Sequence, residues 1–394
     1  MSLTTSATTS IPVARPFIGK EEEEAVLRVL QSGWLSQGQR VAEFESHFAE
    51  YVGAKYAIAV SSCTTALHLA FVAAGLGPRD EVLCPSLSFI ATANSIRYVG
   101  ATPVFVDIDP VTFNLDPNRL EESITPRTKA ILVVHQIGLP AALSEILDIA
   151  HRRNLVVIED AACATGSVYQ ERRIGLPHAH LACFSFHPRK ILTTGEGGML
   201  TASDEKVAAR LRRLRQHAMT TSDLVRHQAK AVMTEGYDEV GYNYRMTDLQ
   251  AAIGLVQLLR LEGFLARRRA LASRYSKELA QIGWLIPPQE PPGCRHNYQS
   301  YMIRLLPDAP VSRDALMQAL LDRGISTRRG IMAIHREPPY RDPAWDRKLV
   351  HTNTVTDQAI ILPLFHQMTE AEQNHVIESI RAIATANGTR RRSQ

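Results

Sequence analysis

Cysteine is scarce in this 394-residue chain: there are five, an odd number, and no two are spaced as CxxC. That excludes a disulfide framework and a paired-cysteine zinc site, and it suits a reducing compartment. The histidines offer no HExxH pair, and the HAH run at 178–180 lacks a third ligand, so no metal centre is expected. No run of about 18 apolar residues is present, which argues against a membrane-spanning helix. The opening MSLTTSATTSIPVARP is polar and has no apolar leader core. A flexible lead over residues 1–12 and a cytoplasmic location are therefore expected. A P-loop, a GxGxxG after a strand and a GxSxG elbow are all missing, which removes three common nucleotide-binding and hydrolase readings. The formal charge is only +4, and much of it lies in the tail TRRRSQ. The tail, 389–394, reads as a solvated end rather than a nucleic-acid surface.

What is present is an alternation. Apolar runs at Tyr56–Val60, Glu81–Cys84, Thr102–Asp107, Ala130–His135 and Leu155–Asp160 are separated by helical patterns. Glu21–Gln31, 61–75, 91–98 and Ser144–Arg153 carry those helices. Short apolar strands alternating with helices predict a parallel sheet covered on both faces. Residues 216–241 are polar and long for a connection, which marks a functional or mobile loop. Apolar spacing then predicts one long helix over Met246–Arg269. After the breaker QEPPGCRHN (289–297), a smaller α+β unit follows, with a YMIRLL strand, a helix at 312–323 and a last helix from Glu370.

The chemistry-bearing residues gather in 156–199. A buried strand ends in Glu159–Asp160, and ligands of open parallel sheets sit beyond such strand ends. Taken alone, Asp160 reads rather as the N-cap of a following AACA helix. Lys190 lies between the apolar CFSFHP and the turn TTGEGG, where dry surroundings would lower its pKa and free its amine as a nucleophile. Ser185 sits five residues earlier as a candidate phosphate contact. The SSCTT run at 61–65 falls between a strand and a helix, where free N–H groups bind phosphate or a Ser/Thr simply caps. Phe89 either stacks on a flat ring or packs in the core.

GWLSQG (33–38), VSSCTTALHLA (60–70), EVLCPSLSFIATANSI (81–96), PVFVDID (103–109), EDAACATG (159–166), FSFHPRKILTTGEGG (184–198) and GYNYRMTDLQAAIGLVQL (241–258) occur in this order. With them the chain resembles the DegT-type sugar aminotransferases, a fold-type I family dependent on pyridoxal 5'-phosphate (PLP). The resemblance implies an α/β fold with a mostly parallel seven-stranded sheet in a large PLP-binding domain (13–262) and a smaller C-terminal α+β domain (263–388). It implies that Lys190 holds PLP covalently and shuttles the proton. Asp160 pairs with the pyridine nitrogen, Cys63, Thr64 and Ser185 contact the phosphate, and Phe89 covers one ring face. Cys163 stands where many relatives place a Gln on the ring hydroxyl, and a thiol is a weak partner there. Asn243 matches an asparagine that reaches the neighbouring subunit's phosphate, which implies a homodimer with shared active sites. Arg328 and His335, in the stretch 324–340, are candidates for a nucleotide-sugar site. The implied reaction passes an amino group from an amino-acid donor, L-glutamate, to a nucleotide-linked 4-keto-6-deoxyhexose. A sugar dehydratase, a carbocyclic-ketone aminotransferase and a non-catalytic regulator are the alternatives. Relatives that dehydrate carry His in place of the lysine, and here Lys190 is present.

Overall fold

The computed structural model describes residues 10–391 apart from 177, 222–225 and 228. Its centre is a seven-stranded sheet built from β1 (Tyr56–Val60), β2 (Glu81–Pro85), β3 (Thr102–Val106), β4 (Thr128–Val134), β5 (Val156–Asp160), β6 (Leu181–Ser185) and β7 (Gly198–Ala202). The strand order is β1-β7-β6-β5-β4-β2-β3. Only β7 runs antiparallel, pairing Gly198 with Val60 on one side and with Ser185 on the other. The carboxyl ends of β1 to β6 therefore share one edge.

Alternation along the strands splits the core in two. In β4, Ile131 and Val133 point to a face covered by α2 (Gln39–Val52), α5 (Leu143–Arg153) and the helix Asp248–Leu279. Ala130 and Leu132 point to the other face, under α3 (Cys63–Ala73), α4 (Ala91–Tyr98) and α6 (Glu205–Leu214). Both faces being buried explains why these strands read as continuous apolar runs.

The long helix, α7, spans Asp248–Leu279, ten residues past the expected end at Arg269. Its first half buries Ala251, Leu261 and Leu265 against the large sheet. Its second half buries Leu271, Tyr275 and Leu279 in the core of the C-terminal unit. The expected division at 262/263 thus falls inside one continuous helix. This helix is also long and apolar enough to cross a membrane. It is tied into the fold by buried polar groups: Asp248 accepts from the N–H groups of Gly38 (2.8 Å) and Val41 (3.0 Å), and Arg268 donates to the carbonyls of Tyr298 (2.9 Å) and Gln299 (2.7 Å).

The C-terminal unit holds a four-stranded antiparallel sheet of Leu285–Ile286, Tyr301–Leu305, Ala359–Leu362 and Arg328–Arg329, in that spatial order. Helices Arg313–Leu321 and Glu370–Arg391 pack on it. Ile11, inside the expected flexible lead, is buried instead. It bridges Ile325, its N–H donating to the Gly324 carbonyl (2.8 Å), because its side chain completes this second core. Residues 1–9 lie outside the described residues. The last helix runs to Arg391, so the expected tail begins within it; 392–394 lie outside the described residues. In the 216–241 connection the bridges Gln216↔Asn243 and Met219↔Tyr237 form a hairpin-like excursion.

Candidate active site

Alternation in β5 sends Glu159 to one face of the sheet and Asp160 to the other, toward α3 and α4. Asp160 is buried. Its Oδ1 accepts from the Ala162 N–H (3.1 Å) and its Oδ2 from the Thr92 hydroxyl (3.3 Å). The capping alternative is half met: the side chain does bond the backbone two residues on, but residues 161–165 form turns and no helix. Burial pushes the Asp160 carboxyl above its ordinary value, against the pull of the Ala162 N–H, Lys190, His135 and Thr92. A buried carboxylate of this kind is completed by a cation or an N–H donor.

Lys190 follows β6 on a short turn closed by its N–H on the His187 carbonyl (2.8 Å). Its Nζ donates to the Cys163 Sγ at 3.1 Å. The expected lowering of its pKa is not found. Burial does push the amine down, but Cys163, Cys63 and Asp160 together outweigh it and hold the value above the ordinary one. The Cys163 main chain is fixed from behind, since the Asn297 amide donates to the carbonyls of Cys163 (2.7 Å) and Thr165 (2.9 Å).

The phosphate-side candidates meet where β1, β7 and β6 run abreast. Ser62 is the N-cap of α3, accepting from the Thr65 N–H (3.2 Å), while the Thr65 hydroxyl accepts from the Ser62 N–H (3.1 Å). This leaves the N–H groups of Cys63 and Thr64, and the Thr64 hydroxyl, with no protein partner among the described residues. The helix start rests directly on Gly198, where a Cβ would lie 2.4 Å from the Ser62 carbonyl carbon and 2.6 Å from the Cys63 nitrogen. Ser185 is the cross-strand partner of Gly198. Burial pushes the Cys63 thiol well above its ordinary value, and it points into the sheet, donating to the Cys183 carbonyl (3.6 Å). The free N–H of Cys63, not its sulfur, is the open group.

Phe89 is 65% exposed, a large ring left out of the core. It sits on the turn between β2 and α4, one turn before Thr92. The core-packing alternative for Phe89 is thereby removed. The same turn is docked by the C-terminal unit: Leu87 bridges Ala333, and the Ser88 N–H donates to the Met332 carbonyl (3.2 Å). The stretch 324–340 thus borders the site, although its two named candidates differ. Arg328 is exposed on the edge strand of the small sheet. His335 is buried, with Nδ1 on the Ser86 hydroxyl (2.7 Å) and Nε2 facing both Asn353 and Asp346 (3.2 Å each). Burial lowers its pKa. Its ring is engaged by its own chain, which makes it a strut between the two units. Asn243 is exposed, and its backbone pairs with Gln216.

Four residues near the site escaped sequence reasoning: Ser88, Thr92, His135 and Asn297. His135 lies behind Asp160, its Nε2 on the Glu159 carboxylate (2.9 Å) and its Nδ1 accepting from the Ala141 N–H (3.1 Å). For Ser88 and Thr92 the available signal was their i, i+4 spacing around Phe89.

A lysine amine beside a buried carboxylate, with open N–H groups at a helix start nearby, is a donor set for a phosphorylated, ring-nitrogen cofactor. A family model for the DegT/DnrJ/EryC1/StrS aminotransferase family matches residues 16–381. The chain belongs to this family. It is 42% identical over 372 residues to a GDP-perosamine synthase of Caulobacter vibrioides, covering 94% of this chain and 97% of that one. It is 41% identical over 377 residues to the spore coat polysaccharide biosynthesis protein SpsC of Bacillus subtilis, covering 95% and 97%. A solved structure, the PLP-form of a putative sugar aminotransferase from Streptococcus pneumoniae, superposes with a TM-score of 0.89 at 27% identity, covering 96% and 99%. This family member is a PLP-dependent sugar aminotransferase. Its own geometry fits the cofactor: Gly198 admits only a hydrogen beneath the open N–H groups, and Asp160 is a buried anion without a full set of donors.

Proposed function

We propose that the chain transfers an amino group from L-glutamate to a nucleotide-linked 4-keto-6-deoxyhexose, with Lys190 as the catalytic residue. The observation that carries the catalytic part is Lys190 Nζ held among Cys163, Asp160 and Cys63. The sugar reading is supported by a relative at 42% identity that is a GDP-perosamine synthase.

PLP supplies a protonated ring that delocalises the electron pair left when a C–H bond breaks. The chain supplies the rest. Asp160 receives the ring nitrogen's proton side and keeps that nitrogen charged. The Cys63 and Thr64 N–H groups, the Thr64 hydroxyl and Ser185 hold the phosphate at the start of α3. Phe89, exposed at the site's mouth, covers one ring face. Lys190 Nζ takes a proton from the donor's carbon and returns one to the sugar carbon that gains nitrogen. Its raised pKa suits the proton-carrying half of that role, since a protonated amine waits beside Cys163. Cys163 is a partly buried thiol that accepts from Lys190 Nζ and so would orient it.

The enzyme acts as a cytoplasmic homodimer in this reading. Asn243 is exposed and its side chain is not hydrogen-bonded among the described residues, which leaves it available to a partner's phosphate. Arg328, equally exposed, is available to a diphosphate.

The test is a panel of nucleotide-linked keto-sugars with L-glutamate, reading 2-oxoglutarate formation. Turnover of a 4-keto-6-deoxyhexose above the other ketones is expected. Lys190→Ala should abolish turnover and the visible absorbance of the lysine-bound cofactor. Transamination by Lys190→Ala would refute the catalytic assignment, and a dehydrated product without nitrogen would refute the reaction.

A further inference from the structure

Asp160 is reached by a chain of two hydroxyls that comes from a different part of the sequence. Ser88 Oγ lies 2.7 Å from Thr92 Oγ1, and Thr92 Oγ1 donates to Asp160 Oδ2 at 3.3 Å. The three side chains are 2%, 1% and 6% exposed. A hydroxyl has one proton to give. With Thr92 giving its proton to the carboxylate, Ser88 must be the donor in the first bond. The relay therefore has a direction, Ser88 to Thr92 to Asp160, as long as Asp160 is ionised. A proton on Oδ2 aimed at Thr92 would reverse both bonds and leave Ser88 as the terminal donor, with no acceptor among the described residues.

We propose that Thr92, backed by Ser88, is a positioning residue for Asp160, orienting the carboxylate and holding it ionised for the cofactor's ring nitrogen. This rests on the reading of Asp160 given above. The other groups facing Asp160 are Lys190 and His135, which also favour its ionised form, and the buried thiols Cys63 and Cys183. Thr92 differs from them in touching the carboxylate itself. The turn that aims the Ser88 and Thr92 hydroxyls inward carries Phe89 outward.

The experiment measures PLP dissociation from the holoenzyme across pH for wild type, Thr92→Val, Thr92→Ser, Asp160→Asn and the Thr92→Val/Asp160→Asn double variant. Thr92→Val should bind PLP about 3- to 10-fold more weakly, the net effect of one ordinary hydrogen bond, because the contact to Asp160 is long at 3.3 Å. Its acid limb, where PLP is lost, should move to higher pH, because a carboxylate deprived of a donor is protonated sooner. Thr92→Ser should behave as wild type, and Thr92→Val should add nothing once Asp160 is Asn. A uniform weakening at all pH values, or a Thr92→Ser variant as poor as Thr92→Val, would overturn the relay. If Asp160→Asn alone leaves both affinity and acid limb unchanged, the Asp160 reading itself fails, independently of Thr92.

Discussion

Gly198→Ala is the sharpest test of how the fold builds the proposed phosphate site. An added Cβ would lie 2.4 Å from the Ser62 carbonyl carbon, 2.5 Å from its oxygen and 2.6 Å from the Cys63 nitrogen. All three atoms are backbone, so no flexible side chain can swing aside. Gly198 is itself held on both sides, by Val60 and by Ser185. The start of α3 must therefore move off the sheet. Overpacking of a rigid site costs about 1–3 kcal/mol. The displaced Cys63 and Thr64 N–H groups would also lose their aim at the phosphate, and one lost bond to a charged group costs about 1.5–3 kcal/mol. PLP affinity should fall by about 10- to 100-fold, and a tenfold fall removes about 1.4 kcal/mol of cofactor-linked stability at saturation. Equilibrium dialysis gives the affinity, and melting with and without added PLP separates the two effects. Gly283→Ala is the control, since a Cβ there meets nothing within 4 Å. A Gly198→Ala protein that melts normally and keeps PLP as tightly as Gly283→Ala would refute the packing logic of the site.

Two further outcomes follow from groups outside the site. Asp248→Ala strips the acceptor from the N–H groups of Gly38, Arg40 and Val41 at the start of α2. Chemical denaturation should show a loss of about 1–3 kcal/mol, and a loss below a few tenths would show that water replaces the cap. His296 is fully buried, and burial lowers its pKa from 6.5 to about 3. The unfolded chain therefore binds this proton first, so the stability is complete above about pH 6.5 and is lost as pH falls toward 3. The loss approaches on the order of 3–5 kcal/mol at the acid end. Urea unfolding measured across that window should steepen on the acid side, and His296→Gln, which cannot take the proton, should flatten it.

The large sheet was legible because both its faces are buried. A run such as AILVVH has no polar alternation to confuse it, and the observed strand, Thr128–Val134, lies within a residue or two of that run. The candidate catalytic stretch was legible for a related reason: Asp160 and Lys190 interrupt apolar segments with charges the core cannot hold unaided. The end of α7 was not legible. Arg267, Arg268 and Arg269 are the last residues of the expected helix, yet the helix continues to Leu279. Their guanidinium groups donate to backbone carbonyls of Met368, Tyr298, Gln299, His296 and Gly166. Those acceptors are set by the fold, not by residue type, so no local pattern announces them. Burial lowers the Arg268 pKa to about 9, the cost of using a cation as a bracket between two units.

The same reasoning separates the visible members of the site from the hidden ones. Lys190, Ser185 and the 61–65 turn lie next to strands whose ends they extend, so their neighbours along the chain place them. Thr92 is an ordinary helical threonine until β2 and β5 are set two strands apart, with β4 between them, and its hydroxyl meets Asp160, 68 residues away in sequence. His335 shows the converse. Its stretch docks on the turn that carries Phe89, but both ring nitrogens are taken by Ser86, Asn353 and Asp346. A histidine offers chemistry only when the fold leaves a nitrogen free, and of the two candidates in this stretch Arg328 is the one whose side chain has no hydrogen bond among the described residues.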